Sequence, residues 1–263
     1  MVICNNDTYL NYEILQYCLN WDSLFRKFIF HLPAYSQEFF SRISSFSQVE
    51  FHLLSSPIEL KEKSILLYLN SDTRIRKKMK NLSGSLIIDS FNEGNLQFVP
   101  KIKDARELLH KFAAFFDLKL EKKQLQFNFS KQDQMKMSVS LFQNRFLNFV
   151  LRLNLISQDK LKEIIIFLKQ NFPANIYLSG HILKKHEFIN LSNLPDMTLL
   201  ELYLFARNCN IFISDDAAAV KIFQDLQLKQ IFMTGDVILN EVASVNIRNL
   251  DILKKTVNTI LEK

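Results

Sequence analysis

Short apolar runs alternate with helical patterns along most of the chain. Val2-Ile3-Cys4 is stopped by Asn5-Asn6-Asp7-Thr8, and a helical pattern carrying Leu10, Ile14, Leu15 and Cys18 follows. Phe28-Ile29-Phe30 closes at Pro33 and gives way to a helix with Phe39, Phe40 and Ile43. Further apolar runs lie at 49–54 and 65–69, after which a basic helix leads to Leu86-Ile87-Ile88. Short apolar runs separated by helices predict βαβ units and a parallel sheet.

The pattern loosens in the middle and then restarts. Residues 105–116 read as a helix, with Phe112, Phe115 and Phe116 at core spacing, and Leu125-Gln126-Phe127-Asn128-Phe129 alternates as a half-buried strand would. The polar stretch 130–136 has no periodicity and reads as a linker, which divides the chain into domains 1–135 and 136–263. Beyond it, 146–153 is a strand, and Ser157 caps a helix whose Leu161, Ile164, Ile165 and Leu168 form one apolar face. Ile176-Tyr177-Leu178 is a strand ending at Ser179-Gly180, and Thr198 with Glu201 forms a capping box at the head of a helix running through Cys209. Ile211-Phe212-Ile213 and Ile231-Phe232-Met233 are strands, and Ile252, Val257, Ile260 and Leu261 mark a closing helix. The expected architecture is α/β, two Rossmann-like parallel-sheet domains facing across a cleft. Ligands are then expected where strand C-termini meet helix N-termini.

Composition narrows the chemistry. The 263 residues hold only four glycines and five prolines, against 24 phenylalanines; average usage would give about 18 glycines and about 13 prolines. Glycines at 84, 94, 180 and 235 build neither G-x-G-x-x-G nor a Walker loop, which removes the commonest nicotinamide and P-loop chemistries. A net charge of +6 favours an acidic partner such as phosphate, nucleic acid or an anionic bilayer, without choosing among them. Cys4, Cys18 and Cys209 are isolated and read as buried reduced thiols of a cytosolic chain. No signal peptide and no transmembrane helix is expected.

Two stretches carry candidate chemistry. In Ile213-Ser214-Asp215-Asp216-Ala217-Ala218-Ala219-Val220-Lys221 a strand runs through a turn into a helix that opens on three alanines. The free N–H groups of a first helical turn attract anions, and small side chains let a phosphate approach. Asp216 reads as the N-cap, serving either the helix alone or a sugar hydroxyl as well. The second stretch is the basic cluster Arg74, Arg76, Lys77, Lys78 and Lys80, in which Arg74 and Lys78 share a helix face. It reads either as a holder of a phosphorylated acceptor or bilayer surface, or as a solvated face. No nucleic acid is expected, because no recognition module or aromatic platform accompanies the cluster. Phe39 and Phe40 beside Arg42 offer a further membrane-dipping option. His181 and His186 have no zinc-site spacing, and no serine lies in G-x-S-x-G.

The region 176–235 resembles glycosyltransferase family 9, the heptosyltransferases of lipopolysaccharide core assembly. Thr198-Leu199-Leu200-Glu201-Leu202 resembles the family's T-S-L-x-E-L helix, and Ser214-Asp215-Asp216-Ala217-Ala218 its S-N-D-T-G-x-x-H turn. Met233-Thr234-Gly235 and Leu178-Ser179-Gly180 resemble glycine-bearing strand ends, and Leu69-Asn70-Ser71 the strand-to-turn segment of the first half. The resemblance implies the GT-B fold, with the donor held by the C-terminal domain and the acceptor by the N-terminal one. It implies a nucleotide-diphosphate sugar donor at Asp215, Asp216, Ala217, Ala218, Lys221, Gly180, Thr198 and Gly235. A lipid-linked or oligosaccharide acceptor would lie near Asn70, Ser71, Arg74 and Lys78, with Asp7 as base. It implies no metal and no cofactor, and a cytoplasmic protein peripheral to the inner membrane. The chain departs from the pattern at Ala217-Ala218 for Thr-Gly, at Lys221 for the histidine and at Asn6 for a glycine. The family's phosphate-contacting lysine has no clear match, although Arg145 and Arg152 lie near its place. A GT-B scaffold that has lost catalysis and serves binding or assembly is the alternative.

Overall fold

The first strand, β1 (Val2–Cys4), is buried along its whole length and pairs in parallel on both sides, with β2 (Phe28–Leu32) and β4 (Ile65–Tyr68). With β3 (Val49–Leu53) and β5 (Leu86–Asp89) these make a five-stranded sheet in the order β3-β2-β1-β4-β5. The computed structural model describes residues 1–46, 48–58, 65–69, 86–89, 104–136, 146–180, 182–183, 190–234, 243–246 and 248–262. Strands covered on both faces need apolar side chains at successive positions, which is why they read as unbroken hydrophobic runs. The described helices of this unit are α1 (Thr8–Trp21), α2 (Ala34–Phe40) and α3 (Ala105–Phe115).

The chain divides into two compact units, Met1–Asn128 and Phe129–Lys263. In the second, β6 (Leu147–Arg152), β7 (Ala174–Ser179), β8 (Leu191–Leu194), β9 (Ile211–Ser214), β10 (Gln230–Thr234) and β11 (Ser244–Asn246) form a six-stranded parallel sheet, ordered β11-β10-β9-β6-β7-β8. Its helices are α4 (Lys131–Lys136), α5 (Gln158–Asn171), α6 (Leu199–Ala206), α7 (Ala217–Asp225) and α8 (Leu250–Leu261). One core joins Phe149, Leu151, Ile176, Leu178, Ile211 and Ile213 of the sheet to Leu161, Ile164, Ile165 and Leu168 of α5 and to Leu253 and Val257 of α8. The opposite face packs aromatics against α6 and α7, through Tyr177–Phe205 at 5.1 Å and Phe212–Phe223 at 5.5 Å between ring centroids.

Both sheets reverse direction at their first strand. The chain lays β2 and β3 on one side of β1 and then returns to place β4 and β5 on the other. It repeats this around β6, with β7 and β8 on one side and β9, β10 and β11 on the other. A reversal opens a crevice at the strand C-termini, here between β1 and β4 and between β6 and β9.

Several sequence expectations change. Strands β8 and β11 carry no strong pattern, because edge strands of three or four residues bury little. The alternating 125–129 makes only one isolated antiparallel bridge, Ile43 to Phe127. The polar stretch expected as linker holds α4, with Asp133 buried and accepting from Ser130 N–H and Oγ–H. The helix opened by Thr198 ends at Ala206, with Arg207 as C-cap, short of Cys209. Phe115, the last residue of α3, is 71% exposed although Phe112 one turn earlier is core. Phe39 and Phe40 are wholly buried, so they pack inside the first unit and offer no membrane-dipping surface.

Candidate functional site

The crevice of the second sheet is built on Asp215, which follows β9. Its N–H bonds the carbonyl of Arg152 at the end of β6. Its buried carboxylate accepts from the N–H groups of Asn154 (3.0 Å) and Leu155 (2.6 Å), locking the loop that leaves β6. Burial pushes its pKa up and neighbouring Asp216 adds to this, while the two N–H bonds pull it down. Gly180, closing β7, has φ of +85°, and a Cβ there would lie 2.4 Å from Asn154 Oδ1. Only glycine serves both the left-handed backbone and that close approach.

Asp216 caps α7, its Oδ1 accepting from the N–H groups of Ala218 (3.0 Å) and Ala219 (3.1 Å). Two first-turn donors of α7 are therefore taken by the protein's own carboxylate. Asp216 N–H in turn donates to Ser214 Oγ at 3.0 Å. Thr198 caps α6 in the full capping box, with Glu201 Oε2 accepting from both Thr198 N–H and Oγ–H at 2.9 Å.

Arg152 joins the two helix starts. Its Nη1 donates to the Met197 carbonyl at 3.1 Å and lies 3.5 Å from Asp196 Oδ1, while its Nε is 3.9 Å from Asp216 Oδ2. The side chain is only 9% exposed. Register pairs Arg152 with Ser214 on one side and, one step beyond Leu151 and Leu178, with Ser179 on the other. A buried polar row, Ser214–Arg152–Ser179, thus crosses the C-terminal ends of three adjacent strands on the face turned to α6 and α7. The Ser179 hydroxyl has no hydrogen-bond partner among the described residues. The signal for Arg152 in the sequence is a charge closing the apolar run Phe149-Val150-Leu151. Asn154 and Ser179 leave no such mark.

In the first unit the crevice is marked by Asp7, the N-cap of α1, whose Oδ1 accepts from Leu10 N–H at 2.9 Å. Asp7 is exposed, and buried Asn5 holds its turn: Asn5 Oδ1 accepts from Asp7 N–H at 3.1 Å, and Asn11 Nδ2 donates to the Asn5 carbonyl at 3.2 Å. On the other side of the crevice Leu69 N–H bonds the Cys4 carbonyl at 2.8 Å, so the chain leaves β4 beside β1. Cys4, His31 and His52 are in register across β1, β2 and β3, and the His31 and His52 rings stack at 5.4 Å. Burial lowers the pKa of His31, as does His52, and a bond to the Leu53 carbonyl opposes them.

The structure brings Gly180, Thr198, Asp215, Asp216, Ala217 and Ala218 to one sheet edge, with Lys221 half-buried in the second turn of α7. Asn70, Ser71, Arg74, Lys78 and Gly235 lie outside the described residues, as do Arg145, His181 and His186. Among the described residues no group of three or more His, Cys, Asp and Glu is placed to hold a metal. None of their helices is long and apolar enough to cross a membrane.

No protein-family model matches the sequence, and no curated protein does. Solved structures do match. The E. coli ADP-heptose lps heptosyltransferase II superposes with a TM-score of 0.62 over 99% of this chain and 98% of that one, at 10% identity. Its fold is the heptosyltransferase fold. The glycosyl transferase family 9 protein from Veillonella parvula gives a TM-score of 0.60 over 97% of this chain and 88% of its own, at 6% identity. The E. coli heptosyltransferase WaaC, solved with ADP-2-deoxy-2-fluoro heptose, gives 0.54 over 100% and 99% at 12% identity. The architecture is thus α/β with two Rossmann-like units, a GT-B-like fold as the resemblance implies.

Proposed function

We propose that the chain is a glycosyltransferase of the heptosyltransferase type. It moves a sugar from a nucleotide-diphosphate sugar to a lipopolysaccharide-type or other saccharide acceptor. The observation that carries this reading is positional. In a fold spanning nearly the whole length of heptosyltransferases, both sheet crevices fall on the segments that resemble family motifs, Asp7 in one unit and Asp215-Asp216 in the other.

The chemistry follows from those groups. The donor sits at the C-terminal edge of the second sheet, where Arg152 supplies a buried positive charge and Lys221 a second cation. Asp7 takes the proton of the acceptor hydroxyl as its oxygen attacks the anomeric carbon. The bond from that carbon to the diphosphate breaks, and the diphosphate leaves with the electron pair, its growing charge met by the cations. No metal is needed for this balance. The acceptor belongs to the first unit, with Asn70, Ser71, Arg74 and Lys78 on its side, and the protein works in the cytoplasm at the inner face of the membrane.

Thermal shift and turnover against a panel of nucleotide-diphosphate sugars test this. Stabilisation by one donor follows RT ln(1 + [L]/Kd). Asp7→Ala is expected to abolish transfer while the protein stays folded and still binds donor. A flat panel with folded protein overturns the reading. It would favour the second one, a GT-B scaffold without catalysis, for which one feature already speaks: the Asp216 carboxylate occupies two of the α7 N–H groups that a phosphate would need.

A further inference from the structure

Two buried asparagines tie the exposed Asp7 to the first sheet. Asn5 is 1% exposed and Asn11 is wholly buried. The Asn5 backbone N–H reaches the His31 carbonyl of β2 at 3.5 Å, and the Cys4 carbonyl before it accepts from Leu69 N–H just past β4. From that root the Asn5 side chain grips both backbone groups of Asp7. Its Oδ1 accepts from Asp7 N–H at 3.1 Å, and its Nδ2 donates to the Asp7 carbonyl at 3.3 Å. Asn11 closes the arrangement. Its N–H donates to the Asp7 carbonyl at 3.0 Å and its Nδ2 to the Asn5 carbonyl at 3.2 Å. The Asp7 carboxylate gives Oδ1 to Leu10 N–H, while Oδ2 has no partner among the described residues.

Capping alone does not ask for this. An Asp N-cap needs only its own carboxylate and the N–H groups of the first helical turn. Asn6, where the resembling family has glycine, is not among the residues with positive φ, so the turn is made without left-handed backbone there. Stability does not account for Asn11 either. Its Oδ1 is buried with no hydrogen-bond partner among the described residues, and a buried polar atom left unpaired costs folding free energy. An apolar side chain of that size would avoid the cost but would lose the donor to Asn5. We propose that Asn5, held by Asn11, is the positioning residue that orients the Asp7 carboxylate and keeps Oδ2 open to the acceptor hydroxyl. This deepens the reading of Asp7 as base and rests on it. A base must meet its proton within hydrogen-bond reach. A turn that drifts by about an ångström therefore loses rate, while the donor, which the same reading gives to the second unit, binds as before.

The test is steady-state release of ADP or UDP from ADP- and UDP-linked sugars, with lipopolysaccharide core oligosaccharide as acceptor. It uses the whole chain as wild type, Asn5→Ala, Asn5→Asp and Asn11→Leu, with thermal melting alongside. Asn5→Ala is expected to lower kcat on the order of a hundredfold at an unchanged donor KM. Asn11→Leu keeps the Asn5 side chain but removes its support, and is expected to lower kcat less, again at an unchanged donor KM. Asn5→Asp adds a signature that a purely structural residue would not give. While protonated, the new carboxyl accepts from Asp7 N–H and donates to the Asp7 carbonyl as the amide does; once ionised, it cannot donate. Its kcat is therefore expected to fall as pH rises, along a limb that the wild type lacks, while the donor KM stays level. The same variant carries the test should Asn5→Ala fail to fold. Unchanged kcat in folded Asn5→Ala, a loss that appears in donor KM, or an Asn5→Asp profile parallel to wild type overturns the proposal. A wild type that releases no nucleoside diphosphate removes Asp7 as base and the proposal with it, an outcome distinct from any behaviour of the variants.

Discussion

Arg152 Nε lies 3.9 Å from Asp216 Oδ2 while Arg152 Nη1 donates to the Met197 carbonyl, so one buried guanidinium serves the starts of two helices. The strand β6 that carries it is the strand about which the second sheet reverses. A cation at this point costs desolvation, which the carbonyl and two aspartates offset. Arg152→Met leaves Asp216 without this counter-charge and the Met197 carbonyl without this donor. It is expected to cost about 3 kcal/mol, measured by urea unfolding, with Arg152→Lys recovering part of the loss.

Gly180 is the second point where geometry allows little choice. Gly180→Ala sets a Cβ against Asn154 Oδ1 and holds alanine at φ of +85°. A loss of about 2 kcal/mol or more is expected. Combining it with Asn154→Ala removes the clash and leaves the backbone strain, so the double variant should melt between the single variant and wild type.

Asp216 allows cap and chemistry to be separated. Asn caps as well as Asp, whereas Ala does not. Asp216→Asn keeps the cap and loses the 3.9 Å pairing with Arg152, whereas Asp216→Ala loses both, so Asp216→Ala is expected to unfold about 1 kcal/mol below Asp216→Asn. If the carboxylate serves the donor, both variants lose turnover. Retained turnover in Asp216→Asn, measured as released nucleoside diphosphate, would leave Asp216 a cap alone.

His31 gives a pH signature. Burial lowers its pKa in the folded protein from 6.5, so as pH falls below 6.5 the unfolded chain takes up a proton that the folded one still refuses. Stability from this group is present above 6.5 and lost as pH falls through the lowered folded value. Denaturation midpoints between pH 7 and pH 5 should fall more steeply in wild type than in His31→Gln. Equal slopes would mean that His31 titrates alike in both states.

Much of the fold was legible because parallel strands buried on both faces must be apolar at successive positions, and because Thr198 with Glu201, Ser157 and Asp216 are caps whose chemistry is local. The edge strands β8 and β11 were not legible, since three or four half-covered residues need no distinctive pattern. Of the site, Asp7 and the segment 214–218 could be read from the chain, because strand–turn–helix passages are contiguous.

The sequence by itself determined the alternation of strands and helices, the capped helix starts and the shortage of glycine that removes glycine-loop nucleotide sites. Only the tertiary structure decided that β6 lies between β7 and β9, which sets Arg152 in a buried row with Ser179 and Ser214 from strands 27 and 62 residues away along the chain. It also decided that the Asp216 carboxylate fills its own helix terminus and that Phe39 and Phe40 are core. The physical reason is the same in each case. Caps and periodicities act between residues a few positions apart, whereas burial and charge pairing depend on strand order, which no local pattern encodes.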